Sequence, residues 1–336
     1  MNLSRASSKL KSGLKFVLRR LGFYLMAAWA SITLAFLIPR LMPGDPASAM
    51  FARFKGQLKP EAMDALRQAF GFSDAPLHQQ YLSYLGHVLR GDLGISISHF
   101  PASVNTVIGG ALFWTLLLAG VSVVLSFGIG TALGVISAWR RDGKLDRFAP
   151  PALIFLGAFP YFWLAMLALF LFGFELGWFP LGHAYADHLT PEFSWAFIGS
   201  VLKHAILPAV TIVVATLGGW MLSMRNTMIS VLGEDYISLA QAKGLLSRRV
   251  MWIYAARNAL LPNVTGFGMA LGFVLSGSLL TEIIFSYPGQ GYLLIQAVRS
   301  LDYPLIQGLF LTITLAVLGA NWLVDIAYAW LDPRTR

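Results

Sequence analysis

Six long apolar stretches constrain this chain more than any other feature of its sequence. A helix needs roughly 20 apolar residues to cross the ~30 Å hydrocarbon core of a bilayer. Backbone polar groups inside that core must be paired within the protein, which helices achieve. The stretches of sufficient length lie at approximately 21–41, 111–139, 148–174, 205–230, 262–285 and 305–330. They predict an all-α integral membrane protein with six transmembrane helices.

The charge content agrees with a membrane protein. Only 12% of the residues are charged, against about 25% in soluble domains. The net charge of +9 comes without a soluble basic domain, so we expect no nucleic-acid partner. The sequence has no cysteine, which excludes disulfides, thiolate metal sites and thiol catalysis.

The distribution of Lys and Arg predicts the orientation of the spans. The basic segments are 1–20, 139–147, 231–261 and 332–336. They fall on one side by alternation, and the positive-inside rule assigns that side to the cytoplasm. We therefore expect both termini in the cytoplasm. Residues 1–20 form a cytoplasmic N-terminal segment, and residues 21–336 form a transmembrane domain whose first helix is retained rather than cleaved as a signal peptide.

The long loop 42–110 lies on the opposite side in this topology. Its stretch KPEAMDALRQAFGF, residues 59–72, has helical spacing with Pro60 near its start. The loop therefore predicts a small ordered extracytoplasmic element between the first two transmembrane helices.

The passage 231–261 interrupts the apolar spans with a basic, helix-like sequence. Tyr236, Leu239, Ala240 and the stem of Lys243 fall on one face of a helix. Gly244 is placed to end that helix in a left-handed cap, and Ser247 is placed to cap a second helix. On residues alone, this passage is either a slim docking surface for a partner or a basic loop that only sets topology.

Motifs for bond chemistry are absent from the sequence. It contains no G-x-x-x-x-G-K-[ST] phosphate loop and no H-E-x-x-H. Among the scattered histidines, only His183 and His188 are close together, in an outer loop. We expect no enzyme activity, no metal site and no cofactor bound by this chain.

A few polar residues near the spans are candidates for a solute path. Glu282 precedes a turn containing Pro288 and Gly289, and together they predict either part of an outer gate or a helix-end acid with local bonds. Tyr161, Ser276, Ser278 and Thr281 line a path or serve helix packing. The span centres carry almost no carboxylate, which disfavours a proton-coupled secondary carrier that works alone. A membrane scaffold or membrane enzyme finds no motif to support it.

Ordered motifs along nearly the whole chain resemble one family. The passage DYISLAQAKGLLSRRVMWIYAARNALLPNV, starting at residue 235, looks like the EAA-type loop of ABC-transporter permeases. The chain is more narrowly similar to permeases of dipeptide, oligopeptide and nickel importers that depend on binding proteins. The further matching stretches are PGDP (43–46), GDLGIS (91–96), ILP (206–208), RNALLP (257–262), TEIIFSYPGQGYL (281–293), DYP (302–304) and DIAYAWLDPR (325–334).

This resemblance implies a type I ABC importer permease in a bacterial plasma (inner) membrane. Such a subunit pairs with a sister permease in membrane lipid. Two ATPase subunits or domains lie below and use ATP and Mg²⁺, while an extracytoplasmic substrate-binding protein delivers the solute. Di- or oligopeptides are the first substrates implied, and oligosaccharides or nickel complexes are the alternatives.

The resemblance also assigns an ATPase-coupling role to the loop. Ala240, Ala242 and Gly244 match the small-residue core of the motif, while the acidic residue that names the motif is replaced by the stretch Leu239–Ala242. That departure weakens any expectation of one specific salt bridge to the ATPase. The coupling residues expected are Ala240, Ala242, Lys243, Gly244, Leu245, Leu246, Ser247, Arg248, Arg249 and Val250.

Overall fold

Helices form the regular secondary structure of the part of the chain that is described. The computed structural model describes residues 3–41, 75–274 and 279–331, and contains no strand there beyond one isolated bridge between Ile95 and Ser103. The helices are α1 (Leu3–Leu41), α2 (Leu77–Leu89), α3 (Val104–Trp139), α4 (Lys144–Ala158), α5 (Tyr161–Glu175), α6 (Trp195–Leu232), α7 (Asp235–Ala242), α8 (247–259), α9 (Leu261–Val274), α10 (Leu279–Ile284), α11 (Gln290–Arg299) and α12 (Tyr303–Leu331).

Most of the predicted spans are helical and apolar enough to cross a membrane. Within the described ranges, four helical stretches meet this criterion: Arg20–Leu41, Val104–Trp139, Trp195–Leu232 and Tyr303–Trp322. The predicted span 148–174 corresponds to α4 and α5, which meet it as a bent pair and raise the number to as many as five. The predicted span 262–285 is divided between α9 and α10, and residues 275–278 lie outside the described part. An all-helical membrane fold is thus confirmed, and the number six stays a prediction.

A bend of 93° separates α4 from α5. Phe159 is extended (φ −77°, ψ 139°) and is followed by Pro160. The proline ring clashes with a helical conformation of the residue before it, so the helix ends there. Hydropathy alone predicted one uninterrupted span at this position.

The loop between the first two spans is only partly described. Residues 42–74, including the predicted helix 59–72, lie outside the described part. The remaining portion contains α2, which is anchored to α1 because Arg40 donates hydrogen bonds to the Gln80 side chain (3.2 Å) and to the Phe36 carbonyl (2.9 Å).

The described residues form two units. One contains α1, α2, the first part of α3 through Thr115, α11 and α12.

The central polar residue of this unit is Asp302, which is fully buried directly before α12. One carboxylate oxygen of Asp302 accepts hydrogen bonds from the hydroxyls of Ser96 (2.5 Å) and Ser98 (2.6 Å), and the other accepts from the backbone N–H of Leu305 (3.2 Å). Asp302 therefore caps α12 and joins the stretches GDLGIS and DYP.

A second polar contact in this unit joins α1 to α12. Arg20 forms an ion pair with Asp325, and the Tyr24 hydroxyl donates to the same carboxylate at 2.5 Å. Arg20 begins the candidate span Arg20–Leu41, and Asp325 follows the candidate span Tyr303–Trp322. At the ends of spans, long basic side chains reach the interface at lower cost.

The other unit runs from Leu116 to Val274 and includes residues 280–287. Its centre is the crossing of α3 and α6. A Cβ added to Gly134 would lie 2.6 Å from the Met221 carbonyl oxygen and 2.8 Å from the Met224 Cβ. The two helices are therefore in direct backbone contact, as small residues permit between membrane helices. At the same crossing, the Asn263 side chain donates hydrogen bonds to Thr131 and to the Trp220 carbonyl, each at 3.1 Å.

We predict that Gly134→Ala destabilises the protein. The added methyl group collides with α6 backbone, and overpacking of this kind costs about 1–3 kcal/mol. The measurement is the midpoint of thermal unfolding of the purified protein in detergent.

Gly128→Ala is the matched control, because a Cβ at Gly128 meets no atom within 4 Å. The control is expected to leave the midpoint unchanged or to raise it slightly, since Ala favours helix over Gly. Equal midpoints for Gly134→Ala and the wild type would contradict the close crossing.

Candidate functional site

The passage 235–259, which we call the α7–α8 segment, follows α6 after a short break. α7 ends in a Schellman motif: the Leu245 N–H bonds to the Ala240 carbonyl (3.4 Å), and the Gly244 N–H bonds to the Gln241 carbonyl (2.9 Å). Gly244 has φ +72°. Glycine adopts this left-handed conformation without the steric cost that other residues incur. The predicted end of the first helix at Gly244 is confirmed.

The second helix begins at Ser247 itself. Leu246 occupies the capping position, and no side chain caps this helix end. The prediction that Ser247 caps α8 is therefore wrong by one residue. A π-helical turn from Val250 to Ala256 continues α8 toward α9.

A buried apolar cluster anchors the segment to α3 and α6. The inner side chains of the segment pack against Val135 and Ala138 of α3 and against Met224 and Met228 of α6. The segment contributes Ile237, Ala240, Val250, Ala255, Ala256 and Ala259. The small alanines bring the backbones close, and the methionines fill the space between them. The inner face of the segment is therefore already occupied by the unit's own core.

The buried face of α7 differs from the predicted one. Ile237 and Ala240 are buried, while Tyr236 and Leu239 are exposed. The buried face is turned about one residue toward Ile237, because Ile237 and Ala240 enter the apolar cluster shared with α3, α6 and α8. Leu239 and Leu246 have 56% and 79% of their surface exposed. These two leucines are available to a partner.

The exposed side of the segment is also basic. Lys243, Arg248, Arg249 and Arg257 are exposed, and no ion pair involves them in the described part of the chain. The side-chain amide of Asn258 donates to the Tyr236 hydroxyl at 3.0 Å and links α8 to α7. The outer face of the segment therefore presents both apolar and cationic side chains, on two helices that are hydrogen-bonded to each other.

The expected coupling residues divide between the two faces of the segment. Ala240 and Val250 are buried in the anchoring cluster, and Leu245 is half-buried against it. The others are exposed: Ala242, Lys243, Gly244, Leu246, Ser247, Arg248 and Arg249. Their role in coupling stays a prediction.

The candidate path residues occupy different environments. Thr281 and Glu282 on α10 are fully buried, whereas Tyr161 at the start of α5 is 37% exposed. Ser276 and Ser278 lie outside the described residues. The choice between a solute path and helix packing stays open for this set.

An ion pair near the segment, between the buried Asp146 and the partly buried Arg225, was not predicted as a pair. The Asp146 carboxylate accepts hydrogen bonds from Arg225 Nε (2.5 Å), Arg225 Nη2 (3.0 Å), the Ser137 hydroxyl (2.5 Å) and the Asp142 N–H (3.1 Å). We call Asp146, Arg225 and Ser137 the Asp146 cluster. An arginine inside an apolar helix requires a partner, which is the signal in the sequence. The identity of the partner required the fold.

Metal binding has no support in the described residues, which contain no group of three or more His, Asp or Glu side chains arranged to hold an ion. His183 adopts a left-handed conformation (φ +68°), and its N–H bonds to the Phe285 carbonyl at 3.1 Å.

Comparison with known proteins places these features in context. Residues 130–336 match the family described as binding-protein-dependent transport system inner membrane component. The chain is 35% identical to the di/tripeptide transport system permease protein DppB of Pseudomonas aeruginosa, across 96% of this chain and 99% of that protein. It is 35% identical to the dipeptide transport system permease protein DppB of Escherichia coli K12, with the same coverage. It is 36% identical to the oligopeptide transport system permease protein AppB of Bacillus subtilis, across 90% and 92% of the two chains.

We predict that Ile237→Ala loosens the α7–α8 segment. Ile237 is 1% exposed in the anchoring cluster, and truncating a buried isoleucine costs about 2–5 kcal/mol. The side chains of Lys243, Arg248 and Arg249 are already exposed, but trypsin requires a locally unfolded backbone, which opening of the segment provides. Because 1.4 kcal/mol corresponds to a factor of ten, cleavage there is expected to accelerate at least about tenfold.

Ile253→Ala provides the control, since Ile253 lies in the same segment but is 52% exposed. Its cleavage rate is expected to match that of the wild type. Equal rates for both variants would mean that the cluster does not hold the segment in place.

Proposed function

The chain belongs to the family of binding-protein-dependent transport system inner membrane components, and we propose that it is a permease subunit of an ATP-driven importer of di- or oligopeptides. The peptide substrate is supported by the names of relatives that match nearly its full length. As the membrane component of such a system, the chain is not the catalytic subunit. ATP hydrolysis, with Mg²⁺, takes place on separate ATPase subunits or domains.

The observation that carries the proposal is the two-sided character of the α7–α8 segment. One face is bound into the core of α3 and α6, and the other exposes Leu239, Leu246 and basic side chains. Exposed apolar groups beside cations on a rigid frame are typical of a protein interface. We propose that this outer face docks onto an ATPase, and that the coupling residues are those on and around the Gly244 turn.

The transport cycle follows from two states of the assembly. A sister permease and this chain enclose the path, and a binding protein delivers peptide from outside. ATP-driven closure of the ATPases favours the outward-open state, and hydrolysis restores the inward-open state. A partner shifts this equilibrium only by binding the two states with different affinity. The docked segment supplies that difference, because its movement carries α3 and α6 with it.

The proposed topology has six spans and cytoplasmic termini. In this arrangement the α7–α8 segment faces the cytoplasm and α2 belongs to an extracytoplasmic element between the first two spans. Tyr161, Ser276, Ser278, Thr281 and Glu282 remain candidate path or gate residues. The segment's basic charge supports the orientation through the positive-inside rule.

Single cysteines are expected to report this topology. The natural sequence has no cysteine, so an introduced one is the only thiol. Gln79→Cys and Ser247→Cys replace exposed side chains in α2 and at the start of α8. A membrane-impermeant maleimide is expected to label Gln79→Cys in intact right-side-out vesicles without ATPases.

Ser247→Cys is expected to react only after the same vesicles are permeabilised. Labelling of Ser247→Cys in intact vesicles would place the segment outside the cell and overturn the docking proposal.

Replacing the two exposed leucines is expected to weaken ATPase binding. Leu239→Ser with Leu246→Ser removes apolar anchors without opening a core, so assembly in the membrane is retained. Full burial of an exposed leucine side chain in an interface contributes about 1.5–3 kcal/mol. Recovery of the ATPases with the affinity-purified permease is therefore expected to fall at least about tenfold.

The matched control is Leu82→Ser with Leu89→Ser, two leucines of α2 that are 65% and 87% exposed. This control is expected to leave ATPase recovery unchanged. In proteoliposomes with all partner subunits, only the first pair of substitutions abolishes ATP-dependent uptake of labelled dialanine. Undiminished ATPase recovery with the Leu239 and Leu246 changes would refute the docking surface, and uptake without ATP would indicate a carrier that works alone.

A further inference from the structure

The Asp146 cluster is unusual in its position and cost. Asp146 is 8% exposed and lies in the first turn of α4, while Arg225 lies in the long apolar helix α6. Removing two charges from water is costly, and apolar residues of similar volume often serve stability equally well. A buried carboxylate paired with a partly buried arginine therefore calls for a role other than stability alone.

The cluster shares two of its three helices, α3 and α6, with the anchor of the α7–α8 segment. Arg225 follows Met224 in α6, and Ser137 precedes Ala138 in α3; Met224 and Ala138 belong to the apolar cluster beneath the segment. The backbone contact at Gly134 holds α3 and α6 together at the same level, with Arg225 N 3.0 Å from an added Cβ. Displacement of the segment is thus transferred to Ser137 and Arg225.

The Asp146 cluster connects α3 and α6 to the first turn of α4. Ser137 and Arg225 both bond to Asp146, and the Asp142 N–H completes the set. Farther along, α4 meets α6 at Gly218, where an added Cβ would lie 3.0 Å from the Leu153 carbonyl oxygen. In the described residues, the hydrogen bonds between α4 and α6 are those of Asp146 with Arg225. Asp146 supplies the directional link between α6 and the bent pair of α4 and α5.

We propose that Asp146, Arg225 and Ser137 are positioning residues that couple movement of the α7–α8 segment to the bent α4–α5 pair. The inference rests on the proposed function, since it assumes that ATPases act on the segment. The cluster does not touch the solute or nucleotide. It ensures that closure of the ATPases moves α4 and α5 together with α6, so that each ATP hydrolysed is matched by transport.

The test compares uptake with ATP hydrolysis in one preparation. The chain is reconstituted in proteoliposomes with its sister permease, ATPases and binding protein, and labelled dialanine imported per ATP hydrolysed is measured. Asp146→Asn removes the charge with little change in shape. Asp146→Asn is expected to lower the ratio of imported dialanine to hydrolysed ATP at least about fivefold, which is within the range of measured coupling effects of single residues. The rate of ATP hydrolysis is expected to stay within about twofold of wild type.

A double variant separates coupling from folding. Asp146→Leu with Arg225→Met removes both charges, so neither is left buried without a partner, and the complex is expected to assemble normally. The import ratio is nevertheless expected to stay low, because apolar contacts lack the directed bonds. Recovery of the wild-type ratio in this double variant would overturn the proposal and leave the cluster a purely structural role.

Asp325→Asn is the matched control. It breaks the Arg20–Asp325 pair, which joins α1 to α12 within the unit that does not contain the segment. Its import ratio is expected to equal that of the wild type. An equal ratio in Asp146→Asn would overturn the coupling role, whereas absence of ATP-dependent dialanine uptake by the wild-type assembly would contradict the proposed function itself.

Discussion

The hydrocarbon core of a membrane offers no water to pair with backbone N–H and C=O groups, and the rest of this structure depends on that constraint. Helices satisfy those groups internally, so the described spans are helical throughout and polar side chains become the exceptions that need a partner. The strongest polar contacts accordingly lie toward the ends of the candidate membrane spans. Asp302 caps α12, Asp325 pairs with Arg20, and Asp146 pairs with Arg225. Each of these contacts links elements that are far apart in sequence. Apolar contacts between helices are less selective, because they need no matching polar partner.

The sequence predicted those features of the fold that depend on local properties. Span length and apolar content are local, so an all-helical membrane architecture follows from hydropathy. The left-handed turn at Gly244 is also local, because few other residues adopt its φ without strain. Helix ends were less predictable: α6 begins at Trp195 rather than near residue 205, since a helix continues beyond its apolar stretch when its backbone bonds are satisfied. The bend at Pro160 interrupts a stretch that hydropathy reads as one span.

Properties that depend on distant neighbours escaped prediction. Helical spacing in α7 suggested a face containing Tyr236 and Leu239, but the position of α3 and α6 decides that Ile237 is buried instead. The position of Arg225 in an apolar helix indicated that this residue needs a polar partner. Its partner Asp146 is 79 residues away, in the predicted loop 139–147 that contains another aspartate, so only the fold identifies it. For the candidate site, the sequence therefore predicted the segment and its turn but not the division between its anchored and exposed faces.

That division explains how a short segment can transmit movement. Only Gly233 and Glu234 separate α6 from α7, and the inner face of the segment packs on the same two helices that cross at Gly134. The segment cannot shift independently of them without opening a buried cluster. The glycines Gly134 and Gly244 have different roles in this arrangement. At Gly134 an added Cβ would strike α6 backbone, whereas at Gly244 it would meet no atom within 4 Å. Gly134 allows the close crossing of α3 and α6, and Gly244 forms a turn with open space around it. In the proposed coupling, a partner bound at the open turn would act on the close crossing of α3 and α6. The displacement would then pass to the elements bonded to these two helices, and on the α4 side the bonded residue is Asp146.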